Sequence, residues 1–379
     1  MKRHLAASAA AAALLSFAAL AQNSANEIVI GQVAPLTGVI AETGTEYVAG
    51  AEAYFKSVNA KGGVNGKKIR VVVKDDAYKP EQTLALTKEM LEKDKPVALF
   101  GFIGTGNVLG LIKENVLSNA GIALLAPYTG AEDLRNPMNP NLFHIRASYA
   151  DEAGKMVDHL VTVGVKRIAV MHQADAFGKS GLAGAQAALA KYNLKLAATG
   201  DYDRAKPEEI DKAVASITAA KPDAVILVAV NRASSAFIKK LRLSGDNTQL
   251  FSISVVNFKE LLKNAGEDSA RGIGIAQVMP FPYATSSPVV YEYHEKMKKY
   301  SPDTVVSYAS LEGFVAAKVM VDALRRAGAT PTRASVLKAL EDTRAYDAGG
   351  LMIGFSPTNH VGSKLVEITV IGKNGKLVR

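Results

Sequence analysis

Two doubly wound parallel-sheet lobes of the α/β class are the fold this chain predicts, and three observations predict it. Short β runs alternate with amphipathic helices along almost its whole length, which means parallel sheets with helices on both faces. The 379 residues exceed the size at which one hydrophobic core keeps growing, so two lobes are expected. The alternation also restarts near residue 142, so each half reads as a complete unit.

The elements follow in order. NEIVIGQVA (26–34) reads as a strand and TEYVAGAEAYFKSVNAKGG (45–63) as a helix with a glycine stop. KKIRVVVKDD (67–76) is a strand, followed by a helix from Pro80 to about Lys93. VALF (97–100), a helix over 106–120 and IALLAP (122–127) complete the first unit. The second opens with LFHIRA (142–147), a helix from Tyr149, RIAVMH (167–172), another helix and LKLAATGDYD (194–203). DAVILVAV (223–230) and QLFSISVV (249–256) continue it.

Residues 1–21, MKRHLAASAAAAALLSFAALA, have a basic start at Lys2 and Arg3, an apolar stretch and then Ala19-Leu20-Ala21. That is the form of a secretory signal cleaved before Gln22. The apolar run is shorter and more alanine-rich than the roughly 20 strongly apolar residues of a spanning helix. The chain has no cysteine, which excludes a disulfide scaffold and a lipid on an N-terminal cysteine. The exported product is expected to be free and soluble.

The formal charge of +9 drops by two once Lys2 and Arg3 are removed, and the remainder serves solubility or favours an anionic ligand. IKKLRL (238–243) and EKMKKY (295–300) read as solvated helix faces without interleaved aromatics, so no nucleic-acid partner is expected. Catalytic signatures are missing: no H-E-x-x-H, no G-x-S-x-G and no phosphate loop occurs. The histidines at 4, 144, 159, 172, 294 and 360 lack metal spacing. No enzyme, cofactor or metal is expected.

Ligands of such sheets bind at the carboxyl ends of the strands. The corners there carry hydroxyls and turns and almost no histidine, an inventory for binding a small polar ligand. GFIGTGNVLG (101–110) resembles a dinucleotide turn, but its glycines do not give G-x-G-x-x-G. The next strand ends in Pro127, Tyr128 and Thr129, where an acid should take the ribose hydroxyls. What remains is a turn with free amides, the Thr105 hydroxyl and a helix N-terminus, which suits a carboxylate. Thr129 and the amides near Gly130 repeat the offer from the neighbouring strand. As ordinary helix caps, Thr105 and Thr129 would read the same way.

GQVAPLTGVIAETGTEYVAGAEAYFKSVNAKGGVNGKKIRVVVKDDAYKPEQ resembles the N-terminal signature of the leucine/isoleucine/valine-type, branched-chain amino-acid-binding proteins. These are substrate-binding components of ABC transporters with the type I periplasmic-binding fold. DAFGKSGLAGAQAAL and SYASLEGFVAAKVMVDALRRAG extend the resemblance over essentially the whole mature chain. It implies two lobes joined by a hinge of three crossovers, 22–147 plus 277–354 and 148–276 plus 355–379. It also implies a periplasmic location, a small carboxylate ligand and an inner-membrane ABC permease complex as partners, with the chain itself a monomer.

Carried over residue by residue, the ligand carboxylate falls to Ile103, Gly104, Thr105 and Gly106, with a second set at Tyr128, Thr129 and Gly130. A first-loop aromatic position falls near Thr43, a second-lobe aromatic on Phe177, and another near Val230 and Asn231. Tyr149 joins Phe177 and Tyr128 as a candidate stacking ring, with lobe packing as the alternative for each. The acid that pairs a ligand ammonium in relatives falls near Ser254, and FSISVVNF holds none. A buried ammonium without a carboxylate is costly. Either Asp175 substitutes, or the ligand is an aliphatic or aromatic acid without an amine.

Overall fold

The computed structural model describes residues 26–379; the export signal read at 1–21, with its cleavage before Gln22, lies outside the described residues. The first half runs β1 (Glu27–Ala34), α1 (Ala41–Ala60), β2 (Lys68–Asp75), α2 (Pro80–Lys93) and β3 (Ala98–Phe100). It continues with α3 (Thr105–Lys113), α4 (Val116–Ala120), β4 (Leu124–Leu125) and β5 (Leu142–Phe143). Its five strands form one parallel sheet in the order β2-β1-β3-β4-β5.

The chain crosses to α5 (Tyr149–Thr162), β6 (Ile168–Gln173), α6 (Ala176–Ala190), β7 (Thr199–Tyr202) and α7 (Asp211–Ala219). Next come β8 (Ala224–Val228), α8 (Asn231–Leu243), β9 (Gln249–Ser252), α9 (Phe258–Ala265), α10 (Glu267–Ala270) and β10 (Gly274–Gln277). It returns to the first sheet's side with α11 (Pro288–Tyr300), α12 (Tyr308–Arg326) and α13 (Arg333–Glu341), followed by the small hairpin β11 (Tyr346–Asp347) and β12 (Met352–Ile353). A third crossing brings β13 (Glu367–Ile371) and β14 (Leu377–Val378) to the edge of the second sheet.

The second sheet is parallel through β7-β6-β8-β9-β10, while β13 and β14 add an antiparallel edge. Both sheets therefore repeat one doubly wound order, and each has its switch point between its first and third strands in chain order. All five residues of β8 are buried, as a parallel strand covered on both faces requires.

The helices α1 and α12 pack backbone to backbone. A Cβ on Gly50 would sit 1.8 Å from the Ser310 carbonyl oxygen, and one on Gly313 2.1 Å from that of Tyr47. Elements read from sequence are mostly trimmed at their cleft ends: IALLAP, LFHIRA and QLFSISVV pair only over 124–125, 142–143 and 249–252. LKLAATGDYD pairs only over 199–202. The helix expected over 106–120 breaks at Asn115, which takes a left-handed φ of 51°. The basic runs bury Ile238, Leu241 and Met297 and turn their lysines outward.

Candidate functional site

The switch points place two pairs of loops face to face. From the first sheet come the segments after β1 and β3; from the second, those after β6 and β8. Gly104, with φ of 107°, ends the turn after β3, and a Cβ there would strike Asn107 Oδ1 at 2.6 Å and the Tyr78 ring at 2.7 Å. The helix α3 begins at Thr105 without a side-chain cap, so its first amides have no carbonyl within the helix to bond.

Thr105 Oγ1 lies 2.7 Å from Thr129 Oγ1, and both residues are buried. The two loops are strapped together by the Ile103–Tyr128 bridge, with Gly104 N donating to the Tyr128 carbonyl at 3.4 Å. Gly130 accepts from Tyr149 N at 2.7 Å and lies so close that a Cβ would meet the Tyr149 ring at 2.6 Å. Gly106 faces the guanidinium of Arg204.

Two small adjoining cavities lie in the cleft. One is largely apolar, with Ile40, Ile103, Gly104, Tyr128, Phe177 and Val230 on its walls. The other sets Glu46, Ser254, Asn257 and Ser307 among Val256, Phe258 and Ala309. Thr43, Tyr128 and Val255 line both. Thr105, Thr129 and Gly130 stand in the layer behind these walls. Tyr149 supports Phe177 from below with ring centroids 5.3 Å apart. Asn231 is buried and accepts from Asn257 N at 2.8 Å, bracing the loop after β9.

Ser254 is not without an acid. Its amide donates to Glu152 Oε2 at 2.6 Å and its hydroxyl to Glu152 Oε1 at 2.9 Å. Arg146 Nη2 donates to the same hydroxyl. The Arg146 guanidinium is buried 3.8 Å from Glu152 and 3.7 Å from Glu312, and it lies 4.4 Å from the centre of the Tyr128 ring. Burial raises Glu312 above the usual carboxylate range and pushes Glu152 up to about 7, against the pull of Arg146. Asp175, the substitute read from sequence, is engaged elsewhere. Its Oδ1 caps α6 through the amides of Phe177 and Gly178, and its Oδ2 takes Arg204 at 3.0 Å and Gln173 at 2.8 Å.

Sequence reading missed Glu46, Arg146, Glu152, Arg204 and Glu312. Glu46 had a local signal, since it follows Thr43 by three positions on α1 and shares its face. Arg204 had none. It stacks over the Tyr78 ring at 3.6 Å and donates to Asn107 Oδ1 at 2.8 Å, bridging the cleft. The DDAYKP block is structural: Asp75 Oδ1 accepts the amides of Leu36, Thr37 and Ala77. Asp76 Oδ2 accepts from Thr83 at 2.6 Å and Asn107 at 3.1 Å.

No helix among the described residues is long and apolar enough to cross a membrane. Residues 27–376 match the profile of the family described as "Periplasmic binding protein". The chain is 28% identical to an amino acid binding protein of Pseudomonas aeruginosa over 259 residues, 68% of each chain. It is 25% identical to the Leu/Ile/Val-binding protein homolog 3 of Brucella melitensis over 383 aligned residues, 97% of each. Among solved structures, a substrate-binding periplasmic protein from Ralstonia solanacearum superposes with a TM-score of 0.88 at 39% identity. That alignment covers 93% of this chain and 99% of the other. Two doubly wound sheets, three crossings and a cleft between opposed switch points agree with that match: the chain belongs to the periplasmic binding protein family, with its type I fold.

Proposed function

We propose that this chain is the periplasmic substrate-binding component of an ABC importer of the branched-chain amino-acid uptake type. It captures a small carboxylate between two closing lobes, 22–147 with 277–354 and 148–276 with 355–379, and presents the loaded form to an inner-membrane permease. The observation that carries the reading is the Ile103–Gly104 turn at the N-terminus of α3, which lines the cleft with the Thr105–Thr129 hydroxyl pair directly behind it. Unpaired amides and a helix dipole favour a negative charge there, and the apolar cavity beside them takes the ligand's side group. Micromolar capture corresponds to roughly −8 kcal/mol, within reach of one carboxylate anchor and a buried apolar group.

A second reading, a receptor for an aliphatic or aromatic acid without an amine, is favoured by the apolar walls of Ile40, Ile103, Phe177 and Val230. A thermal-shift panel of amino acids against their deaminated counterparts tests both, because a ligand that binds only the folded state raises the melting temperature. No shift with any carboxylate would overturn the proposal.

A further inference from the structure

Glu46 stands on the wall of the cleft, and two further acids, buried behind it, share a cation. Glu152 and Glu312 flank Arg146. Glu46 is held by neutral donors alone: Asn257 Nδ2 at 3.0 and 3.1 Å from its two oxygens, and Ser307 Oγ at 2.6 Å. Among the described residues it forms no ion pair. The cation whose charge acts on it, Lys259, donates instead to the Val306 carbonyl at 3.4 Å and lies 5.4 Å from the centre of the Tyr283 ring. A desolvated carboxylate normally has a cationic partner, and this one faces a cavity.

We propose that Glu46 is the cation-binding group of the cleft, receiving the protonated amine of a zwitterionic carboxylate ligand. Two donor groups make three contacts with it, and a carboxylate has about four acceptor positions, so room for one ammonium hydrogen bond remains. The cavity that Glu46 lines shares Thr43, Tyr128 and Val255 with the apolar cavity beside Gly104. A ligand held by its carboxylate at α3 would meet Glu46 across the walls that the two cavities share. The alternative pole, Ser254, is unsuitable because Arg146 already donates to its hydroxyl and would repel a second cation. The amine partner therefore comes from α1 of the first sheet's half and not from the loop after β9.

The inference rests on the carboxylate-capture reading, and matched pairs separate the two. Calorimetry would compare leucine with 4-methylpentanoate and 5-aminopentanoate with pentanoate, on the wild type, Glu46→Gln and Thr105→Ala. At least one zwitterion should bind about tenfold or more tighter than its acid, the scale of a charge-assisted hydrogen bond. In Glu46→Gln that ratio should collapse toward one while the acid's affinity stays put. The pair that shows the ratio locates the amine next to the carboxylate or at the far end of the ligand. A ratio near one in the wild type, or one unchanged in Glu46→Gln, overturns the inference and leaves carboxylate capture standing. Failure of all four compounds to bind overturns both. Thr105→Ala should weaken the two members of a pair equally, which only the carboxylate reading predicts.

Discussion

Arg204 Nη2 donates to Asn107 Oδ1 at 2.8 Å, joining the loop after β7 in the second sheet to α3 beside the first. The same guanidinium holds Asp175 at 3.0 Å on its own side and stacks 3.6 Å from the centre of the Tyr78 ring on the other. Asn257, which bonds Glu46, bridges the opposite end of the cleft. The two contacts bracket the cavities and exist only when the halves are together.

Arg204→Ala should therefore shift the balance toward separated halves. A contact made in one state alone changes a two-state population by its full energy. Small-angle scattering of the unliganded variant should give a larger radius of gyration than the wild type, and ligand affinity should fall roughly tenfold. An unchanged radius would show that other contacts hold the cleft shut.

Thr105→Ala removes one member of a buried hydroxyl pair at the helix terminus. Affinity for any carboxylate ligand should drop by about 1.5–3 kcal/mol, the worth of a hydrogen bond to a charged group. Calorimetry reads the effect directly. The melting temperature should fall as well, because the buried Thr129 hydroxyl loses its partner, so affinity is read on the folded variant.

Arg146→Met leaves Glu152 and Glu312 facing each other without a cation. Breaking a buried ionic group by removing one partner costs about 3–5 kcal/mol. Urea denaturation should show that loss at neutral pH and a smaller one in acid, where the carboxyls take up protons.

Glu46 gives a pH signature of its own. Desolvation chiefly pushes it from 4.5 up to about 7, with Glu260 adding to the rise and Ser307, Asn257 and Lys259 opposing it. A carboxyl whose folded-state value is raised favours folding while protonated. Its contribution is complete below 4.5 and is lost as the pH climbs through about 7. Wild-type melting temperature should decline across that window more than that of Glu46→Gln. An ammonium ligand reverses the preference by stabilising the ionised form, so zwitterion affinity should weaken as the pH falls through the same range. Parallel pH profiles for the two proteins would remove Glu46 from the account.

The doubly wound parallel class was legible because apolar runs of strand length alternate with helical periods, and β1, β2, β6 and α2 fall within a residue or so of their expected limits. Strands were read too long at their carboxyl ends, as with IALLAP, since apolar residues that leave the ladder to wall a cleft look the same in sequence as those that stay. The corner after β3 was legible because a glycine turn before a helix is a local feature. The polar end of the cleft was not. Glu46 and Asn257 are 211 positions apart, and Arg146 and Ser254 are 108. Their meeting is set by how the crossings stack, which no local pattern records. The acid beside Ser254 does not lie on its own strand; it arrives from α5 as Glu152.

The first and third crossings run side by side: His144 pairs with Val361, its amide bonded to the His360 carbonyl at 2.8 Å and its carbonyl to Gly362 N at 2.7 Å. Two laced ribbons fold easily across their common plane and resist sliding past each other. They act as the spine of a book. Rotation of the covers about that single line would separate Arg204 from Asn107 and Asn257 from Glu46 together. In the capture proposed above, a partner that feels only the outer edges of the covers would register whether the page between them is filled.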